Sequence, residues 1–148
     1  MRHSADDALE DHDYHLLLEA TYKLDKYYSL ESRLILLLAG RLGMRVGEII
    51  HMQADWIDDR RQMIEIPAHE PCHKGRDGGV CGYCTQLAEQ KVTHNDGLAE
   101  HEALRHCWEP KTDAAQRSIP FDFHPRAEIT IRRYFEKFDE LEQEGPKP

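Results

Sequence analysis

The chain has 148 residues, enough for one hydrophobic core and too few for two ordinary domains. No apolar run approaches the ~18 residues of a membrane-spanning helix. The N-terminal Met1-Arg-His-Ser-Ala-Asp-Asp lacks the apolar stretch of a secretory signal, so a cytoplasmic protein is expected. Asp and Glu total 28 against 19 Lys and Arg, a net charge of −9, which opposes DNA binding in dilute salt. Two readings of that charge stand: a chain that does not bind nucleic acid, or one from a high-salt cytoplasm. At about 1 M salt the Debye length is roughly 3 Å, so a diffuse acidic surface is screened while local basic contacts still act.

In chain order, residues 8–28 read as a helix, with Leu16, Ala20, Leu24 and Tyr27 or Tyr28 at helical spacing. Ser29 suits the cap of a second helix, with Glu31 in its first turn. Leu34, Ile35, Leu37, Leu38 and Leu42 make that helix apolar over most of its surface. Gly43 fits a position of positive φ after its end. A third helix is expected from near Arg45 to about Gln53, burying Val46, Ile49 and Ile50. Residues 56–66 read as strand, turn and strand, ended by Pro67. Residues 68–106 break the pattern. The stretch from Trp108 to Phe121 should complete the sheet, turning around Thr112–Gln116. From Pro125 a last helix carries Ala127, Ile131, Tyr134, Phe138 and Leu141 on one face, and Gly145-Pro146 stops it.

Two segments carry the chemistry: Gly43-Met-Arg-Val-Gly-Glu48, and Pro110-Lys-Thr-Asp-Ala-Ala-Gln-Arg-Ser-Ile-Pro120. Arginine suits phosphate recognition because its planar fork donates two hydrogen bonds and stays charged. Together, and in this order, the segments resemble the first half of a tyrosine recombinase (phage-integrase-type) catalytic domain over roughly residues 28–125. The resemblance implies that Arg45 clamps a scissile phosphate, Glu48 supports that site, Lys111 serves the leaving 5′-oxygen from a mobile hairpin, and Arg117 anchors the hairpin. The family's later His-x-x-Arg box and nucleophilic tyrosine have no counterpart here. This suggests a partial catalytic domain, inactive alone in strand cleavage. His101-Glu-Ala-Leu-Arg-His106 imitates that box, but it has one residue too many and stands before Lys111.

Residues 67–107 read as an insertion between sheet strands. His69-Glu-Pro-Cys72 and Cys81-Gly-Tyr-Cys84 are two pairs, each with two residues between candidate ligands. Such spacing lets tight turns present four N or S ligands to one tetrahedral zinc. A redox Cys-x-x-Cys is the rival, but it belongs at a strand-to-helix junction of a βαβ unit. His69 gives the neatest fourth ligand, with His73 and Cys107 as alternatives. Four protein ligands would make the zinc structural, and no organic cofactor is expected. The cluster also looks similar to integrase-like proteins of halophilic archaea, in keeping with the high-salt reading.

The expected architecture is α+β and mainly α-helical, with a small antiparallel sheet and a zinc-stapled insertion. The resemblance implies a DNA recombination or integration protein acting on double-stranded DNA, with self-association on that DNA as a further expectation and no membrane partner. The alternative is a non-catalytic, zinc-containing DNA-binding or protein-interaction module.

Overall fold

The computed structural model describes residues 8–143, and side chains from residue 8 to residue 137. The residues divide into two compact units. One holds the described residues up to Gly43 together with those from Phe123 on; the other is Met44–Asp122.

The first unit is helical: α1 (Asp11–Ala20), α2 (Lys26–Gly40) and α6 (Pro125–Gln143). The single helix expected over 8–28 is interrupted. After a 3₁₀ turn at Thr21–Lys23, Leu24 is extended (ψ 162°), and α2 starts at Lys26 rather than being capped by Ser29. Ser29 lies inside α2, buried, and its hydroxyl accepts a 2.6 Å hydrogen bond from Arg33. The inward stripe also differs from the expected one. Tyr14, Leu18 and Thr21 are buried, whereas Leu16 and Leu24 are exposed. Tyr14 and Leu18 form a core with Leu37 of α2 and Ala127 of α6. The Tyr14 hydroxyl donates to the Leu36 carbonyl at 2.7 Å, and its ring lies against Gly40. α6 starts at Pro125 as expected, with His124 Nδ1 accepting the Ala127 N–H at 3.2 Å. Ala127 and Ile131 are buried and Tyr134 is half-buried. Phe138 and Leu141 lie outside the described side chains, and Gly145-Pro146 outside the described residues.

The second unit carries a three-stranded antiparallel sheet in the order β1 (Ile57–Asp58), β2 (Met63–Ile66), β3 (Arg117–Pro120). β2 alternates, with Ile64 and Ile66 buried. Ile64 sits opposite Ile57 on one side and Ile119 on the other. Only the end of the expected 108–121 stretch joins this sheet. Trp108 instead forms an isolated bridge with Glu70, through N–H···O bonds of 2.8 and 3.1 Å. That bridge closes the base of the excursion. Within it, two helices that periodicity did not reveal, α4 (Gly82–His94) and α5 (Glu100–Arg105), pack on each other. α3 (Val46–His51) precedes the sheet. The fold is thus mixed, mainly helical with a small antiparallel sheet. No helix among the described residues is long and apolar enough to cross a membrane.

Candidate functional site

Gly43 ends the preceding segment with φ +68°, a conformation that a β-carbon disfavours. Arg45 is then extended (φ −77°, ψ 152°) as the N-cap of α3. The face of α3 that turns inward is polar: Glu48 and His51, three residues apart, are buried, while Val46 and Ile50 are exposed. The expected burial of Val46 and Ile50 is therefore corrected. Glu48 and His51 occupy the interior because each finds polar partners there.

Glu48 accepts the Arg45 backbone N–H at 2.9 Å and both arms of the Arg117 guanidinium at 2.8 and 3.1 Å. Burial opposes its ionisation, but the bonds from Arg117 and from the Arg45 N–H outweigh this and hold its carboxyl below the usual range. Arg117 also donates to the Ala115 carbonyl at 2.7 Å, which ties the turn before β3 to the start of α3. The bonds of Arg117 join two distant segments rather than the arms of one hairpin.

His51 meets three cysteines. Its Nδ1 lies 2.8 Å from the Gly47 carbonyl, an acceptor, so the proton sits on Nδ1 and donates to it. That leaves the Nε2 lone pair facing the sulfurs of Cys84 and Cys81 at 3.5 and 3.6 Å. The ligand atoms of His51, Cys72, Cys81 and Cys84 all lie within 4.8 Å of one another. Tetrahedral zinc with bonds of about 2.0–2.3 Å spans edges of about 3.3–3.8 Å, which the 3.5 and 3.6 Å His51–sulfur distances already meet. The four residues could hold a metal ion such as zinc.

Cys81 caps the N-terminus of α4, and its sulfur accepts the Cys84 N–H at 3.4 Å; Cys72 accepts the Lys74 N–H at 3.5 Å. Burial raises the Cys81 thiol, but hydrogen bonding, chiefly from the Cys84 N–H, brings it down to about 6. Cys84 is pushed up by burial and by sharing hydrogen bonds with Cys81 and Cys72. A thiol that ionises near neutrality is ready to bind a soft cation.

The expected fourth ligand, His69, is not in this group. Residues 69–71 run on through the Glu70–Trp108 bridge without the tight turn that would aim His69 and Cys72 at one point. The His69 ring is exposed and lies 4.1 Å, centroid to centroid, from His106. His73 is exposed, and Cys107 is buried outside the group. The sequence signal for His51 was its spacing from Glu48 on a short helix; no local ligand pair marked it.

Beside this centre opens a cleft of about 500 Å³. Arg45, Glu48 and Lys111 all line it, with Ile50, His51, Tyr83, Leu87 and Trp108 among its walls. Arg45 and Lys111, the two expected catalytic residues, and Glu48, an expected support, thus line one cleft, while Arg117 does not line it but bonds Glu48. Arg45 and Lys111 are exposed, and among the described residues neither ammonium nor guanidinium is taken up in an ion pair. His101 and His106, the imitation of the later box, are exposed at α5 and do not line the cleft.

Compared with protein-family models, curated proteins and solved structures, the chain matches none.

Proposed function

We propose that this chain is a tyrosine-recombinase-like DNA protein whose cleft receives a phosphodiester of double-stranded DNA, and that a structural zinc staples the neighbouring excursion. The observation that carries the reading is that Arg45 and Lys111, far apart in sequence, line one cleft together with Glu48. Arg45 has the fork geometry for two non-bridging oxygens, and preorganised donors of that kind stabilise the charge that develops in phosphoryl transfer. Lys111 is a mobile point charge able to give a proton to a departing oxygen. Glu48 sets the backbone of Arg45 without competing for its guanidinium, because its own carboxylate is occupied by Arg117.

The test is binding of a short DNA duplex across a salt series. Wild-type protein should bind with an affinity that falls with salt. Arg45→Ala and Lys111→Ala should each weaken binding and lower the slope of log affinity against log salt by about 0.9. Equal affinity and slope in all three proteins would reject the phosphate role.

A second reading draws on the exposed apolar residues at the same cleft. Ile50 is 59% exposed and Tyr83 62% exposed, and both line it. Such residues suit a protein partner, as in a non-catalytic zinc-containing interaction module. Binding that ignores Arg45 and Lys111 but is lost with Ile50→Asp would favour this reading.

A further inference from the structure

We infer that the metal centre positions the cleft: His51 is a positioning residue whose ligation fixes α3, and with it Arg45 and Glu48, while its ring fixes the segment that carries Lys111. The DNA arm of this inference rests on the phosphate reading above; the positional arm does not.

α3 has six residues, too few to hold a helix by its own hydrogen bonds. Its apolar residues contribute little, since Val46 and Ile50 point to solvent and Ile49 is only half-buried. Two buried polar side chains do the anchoring. Glu48 fixes the first turn through Arg117. His51 fixes the last turn: its ring stacks on Trp108, but its Nε2 has only sulfur contacts of 3.5 and 3.6 Å without a metal. A coordinate bond from Nε2 replaces those weak contacts with a strong, directional one. The Nδ1–H bond to Gly47, in α3 itself, then locks the ring to the helix.

The same ring reaches the other wall of the cleft. Trp108 stacks on His51, with centroids 5.6 Å apart and planes at 25°. Trp108 is also held by the Glu70 bridge and by Trp56, whose ring is 5.0 Å away. Buried Pro110 follows, and then Lys111. Arg45 and Lys111 therefore each lie one short segment from one imidazole, and what fixes that imidazole fixes the distance between them.

The experiment uses the full chain, stripped of metal under reducing conditions and titrated with Zn²⁺, with amide hydrogen exchange and duplex binding followed together. Zinc should slow exchange of residues 46–51 and of Trp108, whose N–H donates to the Glu70 carbonyl, at least about tenfold, while the β2 and β3 amides change less. Duplex affinity should rise in step with zinc occupancy. His51→Ala should still take zinc through three cysteines, at least about tenfold more weakly. It should leave 46–51 exchanging fast at saturating zinc, whereas His69→Ala should behave as wild type.

Zinc binding without slowing of 46–51, or equal slowing in His51→Ala, would overturn the inference. So would an equal change across β2 and β3, which would mean that the metal holds the whole unit rather than the cleft. If zinc slows 46–51 and Trp108 but no form binds duplex, the positional inference stands and the phosphate reading falls.

Discussion

Arg117 grips both oxygens of Glu48 across 69 residues of sequence, at 2.8 and 3.1 Å, with the carboxylate only 2% exposed. This pair joins β3 to the first turn of α3. Glu48→Gln should cost about 1–3 kcal/mol in urea denaturation, because an ionic bond is lost and the partly exposed Arg117 recovers some hydration. The carboxyl is held below its ordinary 4.5, so its contribution is present above that value and is lost as pH falls through the lower folded one. The stability gap between wild type and Glu48→Gln should be full at pH 7 and shrink below about pH 4.5. A gap that persists unchanged in acid would contradict this account.

Purified chain should carry one zinc, measured by metal analysis, through His51, Cys72, Cys81 and Cys84. Cys81→Ser with Cys84→Ser should abolish it, and His69→Ala should retain it. With four protein ligands no position stays open for water, so Co²⁺ substitution should give the intense visible bands of a tetrahedral thiolate site. Retention of zinc by the double serine variant would rule out these ligands.

Gly40→Ala tests the contact between α1 and α2. In an open helical position this change would stabilise by up to about 1 kcal/mol. Here a β-carbon would lie 2.7 Å from Tyr14 Cζ and 2.8 Å from its hydroxyl oxygen. The hydroxyl is tied to Leu36, so the ring cannot swing aside without losing that bond. A net destabilisation of about 1–3 kcal/mol is expected by thermal melting, and stabilisation would show that the ring moves freely.

The excess of nine negative charges should make the fold salt-dependent. Raising potassium chloride from low to molar concentration should raise the melting temperature, by about 2–4 °C for each 1 kcal/mol of repulsion screened. A flat or falling melting temperature would argue against a high-salt habitat.

Gly43, the strand-turn-strand over residues 56–66 and the start of α6 at Pro125 were legible because each has a local cause: positive φ, β-branched residues around a polar turn, a fixed proline φ. The inward face of α3 was not. Periodicity assigns the interior to apolar residues, so it chose Val46 and Ile50. Glu48 and His51 displaced them through partners at Arg117 and Cys72–Cys84, which no local pattern reveals. The same blindness put His69 in place of His51 as the histidine ligand. Near-neighbour spacing found the three cysteines of the cluster, but the histidine that meets them comes from a helix outside the excursion. α1 shows a milder version: Leu16 and Leu24 have the right period, yet the chain breaks at Leu24 and the stripe shifts to Tyr14, Leu18 and Thr21.

The bridge between Glu70 and Trp108 makes the excursion leave and return at one point. The turn joining α4 to α5 passes through Gly97, whose φ is +94°. Extra residues placed there lengthen a loop that is already closed, at an entropic cost that grows only as the logarithm of its length. A fluorescent or affinity module could be spliced into that turn while the cleft keeps its shape. Related chains would then be free to differ in the length of this cassette without changing what the cleft receives.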